Sequence, residues 1–192
     1  MLRKCAAPVQ ERLVAEREEA VAALQARVRA LEGGAGAERD GLLALVDADY
    51  DLVVTSPLQR CSRLAEHIPG GERRSEPRIM EYDFGDWELR PWAELRGPET
   101  KTWMHNFVDE PAPNGESMRI MQARVLDYWN ELLVSDYAKV AVVTHSGVQR
   151  LIHAHVLHTP LTHIFRLELA FGEVIRVNVA DARDGHATLR HL

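Results

Sequence analysis

Two segments of the chain show the same order of features: an apolar run, a polar turn and the start of a helix. They are YDLVVTSPLQR at residues 50–60 and VAVVTHSGVQR at residues 140–150. Short apolar runs bounded by turn residues are typical of buried strands, and a strand that leads into a helix is the unit of a parallel sheet. The last segment, residues 164–192, alternates around two turn signals, which predicts strands joined by hairpins. The sequence therefore predicts an α/β sandwich with a mostly parallel sheet.

Two longer segments have helical spacing of their apolar side chains. The segment 117–136 places apolar residues three or four positions apart, which predicts an amphipathic helix. The segment 10–32 is rich in Ala, Glu, Arg and Leu, and its apolar stripe has nearly heptad spacing. This N-terminal helix either packs on its own domain or pairs with a second copy to form a homodimer. Both interpretations fit the spacing.

Length, charge and cysteine content limit the class of protein. A chain of 192 residues suits a single domain, 1–192, in which 1–49 is a divergent N-terminal part. The net charge of −6 argues against a general nucleic-acid binder, and no apolar stretch approaches membrane-spanning length. The N-terminus lacks the apolar core of a secretory signal, and Cys5 and Cys61 are too few for a disulfide framework. We therefore expect a cytoplasmic protein with no nucleic-acid or membrane partner.

The polar turns that follow the two predicted strands hold candidate anion-binding residues. Sites in α/β sheets form where strands end and helices begin, and a helix N-terminus offers free N–H groups to phosphate. Arg60 lies in the first turns of one helix, and His145, Ser146 and Gly147 lie at the start of the other. Each alone fits a surface arginine or a packed core histidine. Together, at two strand ends, they favour a binding site for an oxyanion such as phosphate.

A third segment, RIMEYDFGDWELRPWAEL at residues 78–95, contains a candidate general acid. Glu81 lies among apolar and aromatic residues, and such surroundings raise the pKa of a carboxyl group toward neutrality. A solvated loop glutamate is the simpler alternative. Asp83 and Asp86 follow closely, and three acids could suggest a metal ion. No histidine or cysteine nearby completes a ligand pattern, so we expect no metal.

Four ordered motifs between residues 50 and 180 resemble the histidine phosphatase superfamily, with its phosphoglycerate mutase-like fold, and most closely its alpha-ribazole phosphatase-like branch. They are VVTSPLQRCSRLAEHI, RIMEYDFGDWELRPWAEL, PNGESMRIMQARV and KVAVVTHSGVQRLIHAHVLHTP. The resemblance implies a three-layer α/β/α fold and no metal or organic cofactor. It also implies that Arg60 clamps the phosphate, that Glu81 protonates the leaving group and that His145 stabilises the transferring phosphoryl group.

The same resemblance implies a nucleophilic histidine, in an Arg-His-Gly triplet at the end of the first strand, which becomes phosphohistidine. The nearest match here is Arg3, Lys4 and Cys5, so Arg3 would bind phosphate and Lys4 would stand for the nucleophile. An amine with a pKa of about 10.4 is mostly protonated at neutral pH, so Lys4 suits holding phosphate better than attacking it. Cys5 is a second candidate nucleophile, because nearby cations favour a thiolate.

Two functions fit this pattern. The first is a metal-independent phosphatase that hydrolyses a small phosphomonoester weakly or by altered chemistry. The second is a non-catalytic phosphate-ligand binder, a pseudophosphatase whose N-terminal helix recruits a partner. Retention of Arg60, Glu81 and His145 favours anion binding in both, whereas the replacement of the nucleophile by Lys4 favours the second.

Overall fold

The computed structural model describes residues 49–170, 172–181 and 186–191 of the chain. Side chains beyond residue 179 are not described. Outside the described residues lie the N-terminal helix predicted at 10–32 and the candidate residues Arg3, Lys4 and Cys5. The single-domain organisation therefore stays a prediction for the N-terminal part.

Strands and helices alternate along most of the described chain. In order, they are β1 (Tyr50–Thr55), α1 (Gln59–Ala65), β2 (Gly70–Ser75), α2 (Pro98–Asn106), α3 (Met118–Leu133), β3 (Val140–Val143), α4 (Ser146–Val156), β4 (Ile175–Asp181) and β5 (His186–His191). Short 3-10 turns lie between them, at Pro77–Ile79, Gly85–Trp87, Trp92–Glu94 and Leu161–Arg166. None of the described helices is both long and apolar enough to cross a lipid bilayer.

The first three strands form a parallel sheet in the order β2-β1-β3. Thr55, the last residue of β1, pairs with Ser75 of β2 and with Val143 of β3. All three strands therefore end at the same level, and the segments that follow them leave the sheet side by side. β4 and β5 form a separate antiparallel pair.

Alternate residues of β1 face opposite sides of this sheet, and both sides are covered by helices. Leu52 and Val54 belong to the main hydrophobic cluster, together with apolar side chains of α3 and α4. Val53 faces the other way and packs with Ala65 and Ile68, at the end of α1 and just after it. Because side chains alternate with a period of two along a strand, burial on both faces explains the unbroken apolar run of β1. The layers are therefore α/β/α, as the sequence predicts.

The structure contains one strand that the sequence pattern does not reveal and lacks one that the pattern predicts. β2 has the sequence GGERRS with mostly exposed side chains, so no apolar signal marks it. It is held by its parallel pairing with β1 and by Arg73, whose guanidinium donates to the carbonyl of Ile68 (2.6 Å). The prediction that strands begin at residue 164 is wrong, because residues 161–166 form 3-10 turns. Ile164 is fully buried there, against the main cluster, without any strand pairing.

The long helix α3 forms as predicted. Ser117 caps its N-terminus, with Oγ accepting from the N–H of Ile120 (3.3 Å). Its fully buried stripe is Met118, Met121, Val125 and Tyr128. In the second half of the helix the buried stripe continues through Tyr128, whereas the apolar residues Trp129, Leu132 and Leu133 are only partly buried.

Candidate active site

The carboxyl edge of the parallel sheet brings three polar segments together. Residues 56–60 follow β1, residues 76–81 follow β2, and residues 144–147 follow β3. Because the three strands end in register, Arg60, Glu81 and His145 converge on this edge from different parts of the chain. The structure therefore places Arg60 beside His145, whereas the predicted convergence of Arg3 on the same place stays a prediction, because Arg3 lies outside the described residues.

The closest contact between predicted site residues joins Arg60 to His145. The Nε–H of Arg60 donates to Nδ1 of His145 across 3.2 Å. Arg60 is exposed, whereas His145 is buried, so the guanidinium covers the ring from the solvent side. An arginine has only donors, so Nδ1 must be the acceptor and the neutral ring carries its proton on Nε2.

The ring of His145 is held on its other side by Ser56. Nε2 lies 2.8 Å from Oγ of Ser56, a fully buried hydroxyl that also accepts from the N–H of Leu58 (3.3 Å). Burial, together with the charges of Arg60 and Arg124, lowers the pKa of His145 to about 3. In this state the imidazole is therefore a neutral hydrogen-bond donor that points toward Ser56.

Cys61 lies against the same ring. Its Sγ is 3.5 Å from Nε2 of His145 and 3.5 Å from the carbonyl oxygen of Thr144. Burial raises the pKa of the thiol to about 11, and the charge of Arg60 opposes this only in part. Cys61 is therefore a protonated packing residue rather than a thiolate nucleophile.

Glu81 presents its carboxyl group to the first turn of α4. The N–H of Tyr82 donates to Oε1 (3.1 Å), and the N–H of Gly147 approaches Oε2 at 3.4 Å. Burial raises the pKa of Glu81, while these two N–H groups and the charges of Arg60 and Arg150 lower it in part. A carboxyl group with a raised pKa, at the sheet edge that also holds Arg60 and His145, fits a proton donor.

The start of α4 contributes main-chain donors. Ser146 is the first residue of this helix and is exposed, and Gly147 follows it beside Glu81. The N–H groups of a first helical turn have no carbonyl partner within the helix. Within the described ranges, no cluster of three or more histidine, cysteine, aspartate or glutamate side chains could hold a metal ion.

Several residues of the site were missed from the sequence. Ser56, which contacts the ring of His145, is marked in the sequence only by its place between the apolar run of β1 and Pro57. Arg150 lies one helical turn after Gly147, and its Nε–H donates to the carbonyl of Leu167 (2.9 Å). No local signal distinguishes Arg150 or Arg124 from ordinary helix-surface arginines, because their partners are far away in sequence.

The chain belongs to the histidine phosphatase superfamily (branch 1), whose family model matches residues 32–192. An adenosylcobalamin/alpha-ribazole phosphatase of Salmonella typhimurium is 29% identical over 170 residues, which cover 84% of this chain and 82% of the relative. The resemblance deduced from the four motifs is thereby confirmed at the level of the family.

Solved structures agree with this assignment. The alpha-ribazole phosphatase from Shigella flexneri has a TM-score of 0.67 at 26% identity, covering 81% of this chain and 79% of that one. A mycobacterial glucosyl-3-phosphoglycerate phosphatase has a TM-score of 0.64 at 20% identity, covering 81% and 80%. The second likeness concerns the fold alone. The phosphoglycerate mutase-like α/β architecture predicted from the sequence is thus confirmed.

Proposed function

We propose that this chain binds a small phosphomonoester beside the pair of Arg60 and His145 and hydrolyses it weakly or by altered chemistry. The observation that carries the proposal is the 3.2 Å contact between the Arg60 guanidinium and the His145 ring, at the sheet edge that also holds Glu81. A permanent cation and an imidazole suit the oxygens of a phosphoryl group. A carboxyl group with a raised pKa suits the departing oxygen.

Arg60, His145 and Glu81 each have a separate role in the proposed reaction. Arg60 pairs with two phosphoryl oxygens. His145 donates to a third through Nδ1 once its ring is protonated, and this contact then replaces the one from Arg60. A bound phosphate dianion opposes the effect of burial and favours the protonated ring. As the bond from phosphorus to the ester oxygen breaks, the proton of Glu81 passes to that oxygen and the alcohol leaves. Water attacks phosphorus and releases a proton, which restores the carboxyl group of Glu81.

In the proposed reaction this chain differs from the pattern of its family in the nucleophile. Lys4 stands where the motif of the family has histidine, and it lies outside the described residues. A protonated amine holds phosphate but has no lone pair with which to attack it. Direct attack by water, aided by Arg60 and Glu81, therefore replaces the covalent step in the proposed reaction. Positioned charges alone still supply part of phosphoryl-transfer catalysis.

The relatives indicate which substrates to test first. Those of Salmonella typhimurium and Shigella flexneri are named as alpha-ribazole phosphatases. We extend to this chain only the class that this name represents, a phosphate monoester of a small molecule. Alpha-ribazole 5′-phosphate and 4-nitrophenyl phosphate together cover the named substrate and a generic one.

The experiment combines steady-state hydrolysis of both esters with trapping of a phosphoenzyme, on the full chain and on Lys4→His. We expect slow turnover without a phosphoenzyme for the unchanged chain. Lys4→His should turn over faster and form an acid-labile phosphohistidine. Lys101→His, an exposed change on α2, is the matched control and should behave like the unchanged chain.

The second candidate function is a non-catalytic binder of a phosphorylated ligand, and the replacement at position 4 is the observation that favours it. Phosphate binding without hydrolysis of either ester, in both the unchanged chain and Lys4→His, would support it. Rapid turnover with a trapped phosphohistidine would contradict the assignment of Lys4. Rapid turnover that disappears in Cys5→Ser would support a thiolate nucleophile instead. If the chain neither binds phosphate nor hydrolyses either ester, both candidate functions are refuted.

A further inference from the structure

Arg124 holds the main chain that leads into Glu81. It lies on α3, and its guanidinium reaches the segment after β2. Nη1 donates to the carbonyl oxygens of Arg78 (2.7 Å) and Met80 (2.8 Å), and Nη2 donates to the carbonyl oxygen of Glu81 itself (3.0 Å). One side chain therefore satisfies three carbonyl groups in four consecutive residues. Buried carbonyl groups without partners cost free energy, so this segment depends on Arg124.

Glu116 completes the arrangement on the far side of Glu81. Its carboxylate pairs with Arg124, with Oε2 accepting from Nε at 3.0 Å and Oε1 from Nη2. Oε1 also accepts from the N–H of Asp83 (2.9 Å), and the main-chain N–H of Glu116 donates to the carbonyl of Asp83 (3.0 Å). The hydroxyl of Tyr82 donates to the main-chain carbonyl of Glu116. The pair thus fixes the residues just before and just after the acid.

Among the residues that the structure describes, the carboxyl group of Glu81 has no strong anchor of its own. Its two contacts there are with main-chain N–H groups, that of Tyr82 at 3.1 Å and that of Gly147 at 3.4 Å. The latter distance exceeds that of an ordinary N–H···O bond. The direction of the carboxyl group therefore follows from the position of its own main chain, which Arg124 and Glu116 determine.

We propose that Arg124, paired with Glu116, is the positioning residue that aims the Glu81 carboxyl group at the departing oxygen. This rests on the proposed function, in which Glu81 is the proton donor. A planar guanidinium with five donors can serve three carbonyls and a carboxylate together, whereas a lysine ammonium cannot match that geometry. Arg124→Lys should therefore keep the charge while losing most of the alignment.

The test compares a poor and a good leaving group. Phenyl phosphate needs a proton on its departing oxygen, whereas 2,4-dinitrophenyl phosphate does not. General acids contribute roughly 10²- to 10⁴-fold, so a misdirected acid should cost phenyl phosphate at least about tenfold in kcat. The loss with dinitrophenyl phosphate should stay within about threefold, with KM nearly unchanged. Arg124→Lys should show this pattern, and Arg124→Gln should show it more strongly.

A double variant tests whether Arg124 affects kcat through the carboxyl group of Glu81. If Arg124 acts by aiming that carboxyl group, Arg124→Lys should lower kcat no further in a Glu81→Gln background. Arg119→Gln is the matched control, because Arg119 lies on the same helix and its ion pair with Asp109 is exposed. It should leave the ratio of the two leaving groups unchanged. Equal losses with both leaving groups, or an additive double variant, would overturn the positioning role. Should Arg124→Gln fail to fold, Arg124→Lys alone decides.

A readout without turnover separates this inference from the proposed function. The titration of Glu81 can be followed by its carboxyl infrared band, assigned from the difference between the unchanged chain and Glu81→Gln. If Arg124→Lys lets the carboxyl group swing into solvent, its titration midpoint should fall toward the ordinary value of a glutamate. An unchanged midpoint would overturn the inference. A shifted midpoint in a chain that hydrolyses neither ester would refute the phosphatase function while keeping the positioning role.

Discussion

The carboxyl group of Glu81 occupies the space into which any side chain at Gly147 would extend. A Cβ built at position 147 would collide with Oε1 of Glu81 and come within 3.1 Å of Cε of Met121. The absence of a side chain at the second residue of α4 is therefore a condition for the acid to lie where it does.

Gly147→Ala should thus impair the acid without unfolding the protein. The atoms in the way are the ends of flexible side chains, so Glu81 can swing aside at modest cost in stability. We expect kcat for a poor leaving group to fall by at least about tenfold, since a displaced general acid forfeits its contribution. Gly97→Ala is the control, because a Cβ there has no neighbour within 4 Å. Unchanged turnover of phenyl phosphate by Gly147→Ala would contradict this role of Glu81.

Oxyanions should stabilise the protein against heat through Arg60. A ligand that binds only the folded state raises the melting temperature, and phosphate or vanadate at millimolar concentration should do so here. Arg60→Ala should abolish the shift, because the cation that contacts His145 is lost. Arg63→Ala removes an exposed arginine from the same helix and should keep the shift. If both variants respond like the unchanged chain, the anion site lies elsewhere.

Acid should destabilise the protein through His145. Its pKa is about 3 in the folded state against an ordinary 6.5, so between these values the unfolded chain binds the extra proton. The free energy of unfolding is therefore fully retained above pH 6.5 and falls as the pH drops toward 3. The loss is at most about 4 to 5 kcal/mol, at about 1.4 kcal/mol per pKa unit. Urea unfolding across this range should show a shallower dependence in His145→Asn.

The control for the effect of acid is His155→Gln, which removes an exposed histidine from α4, the helix that begins directly after His145. It should keep the pH dependence of the unchanged chain. A His145→Asn variant with that same dependence would show that the imidazole is not held neutral by burial.

Arg150 should lower the pH above which hydrolysis is lost. A general acid must be protonated, so activity is lost as the pH rises through the pKa of Glu81. The charge of Arg150 lowers that pKa, so Arg150→Gln should move the alkaline limb of the pH–rate profile to higher pH. Arg96→Gln, an exposed loop change, should not move it. A limb that moves to lower pH would exclude this electrostatic role.

The sequence predicts the elements whose side chains are buried. The unbroken apolar run of β1 indicates a strand buried on both faces, and the apolar residues three or four positions apart in α3 indicate a helix buried on one face. The strand β2 was not readable, because it is held by main-chain pairing while its side chains face solvent. The alternating segment predicted to form strands begins at residue 164, yet Ile164 reaches the core from a 3-10 turn.

The candidate site was readable where a motif marks it. Arg60, Glu81 and His145 follow strand ends in recognisable segments, and the register of the sheet brings them together. The groups that hold them were not readable. Arg124 meets carbonyls more than 40 residues away in the chain, so its role follows only from the folded geometry. Lys4 lies outside the described residues, and its role stays a prediction.

The buried thiol of Cys61 makes the opening of the site measurable by chemical labelling. A thiol with a pKa of about 11 and almost no exposed surface reacts with an alkylating reagent only when its surroundings separate. Because Cys61 contacts His145 and follows Arg60 directly, its labelling rate reports opening of the structure around the pair of Arg60 and His145. A peptide-resolved alkylation time course, with and without phosphate, would thus give the free energy of opening independently of any turnover.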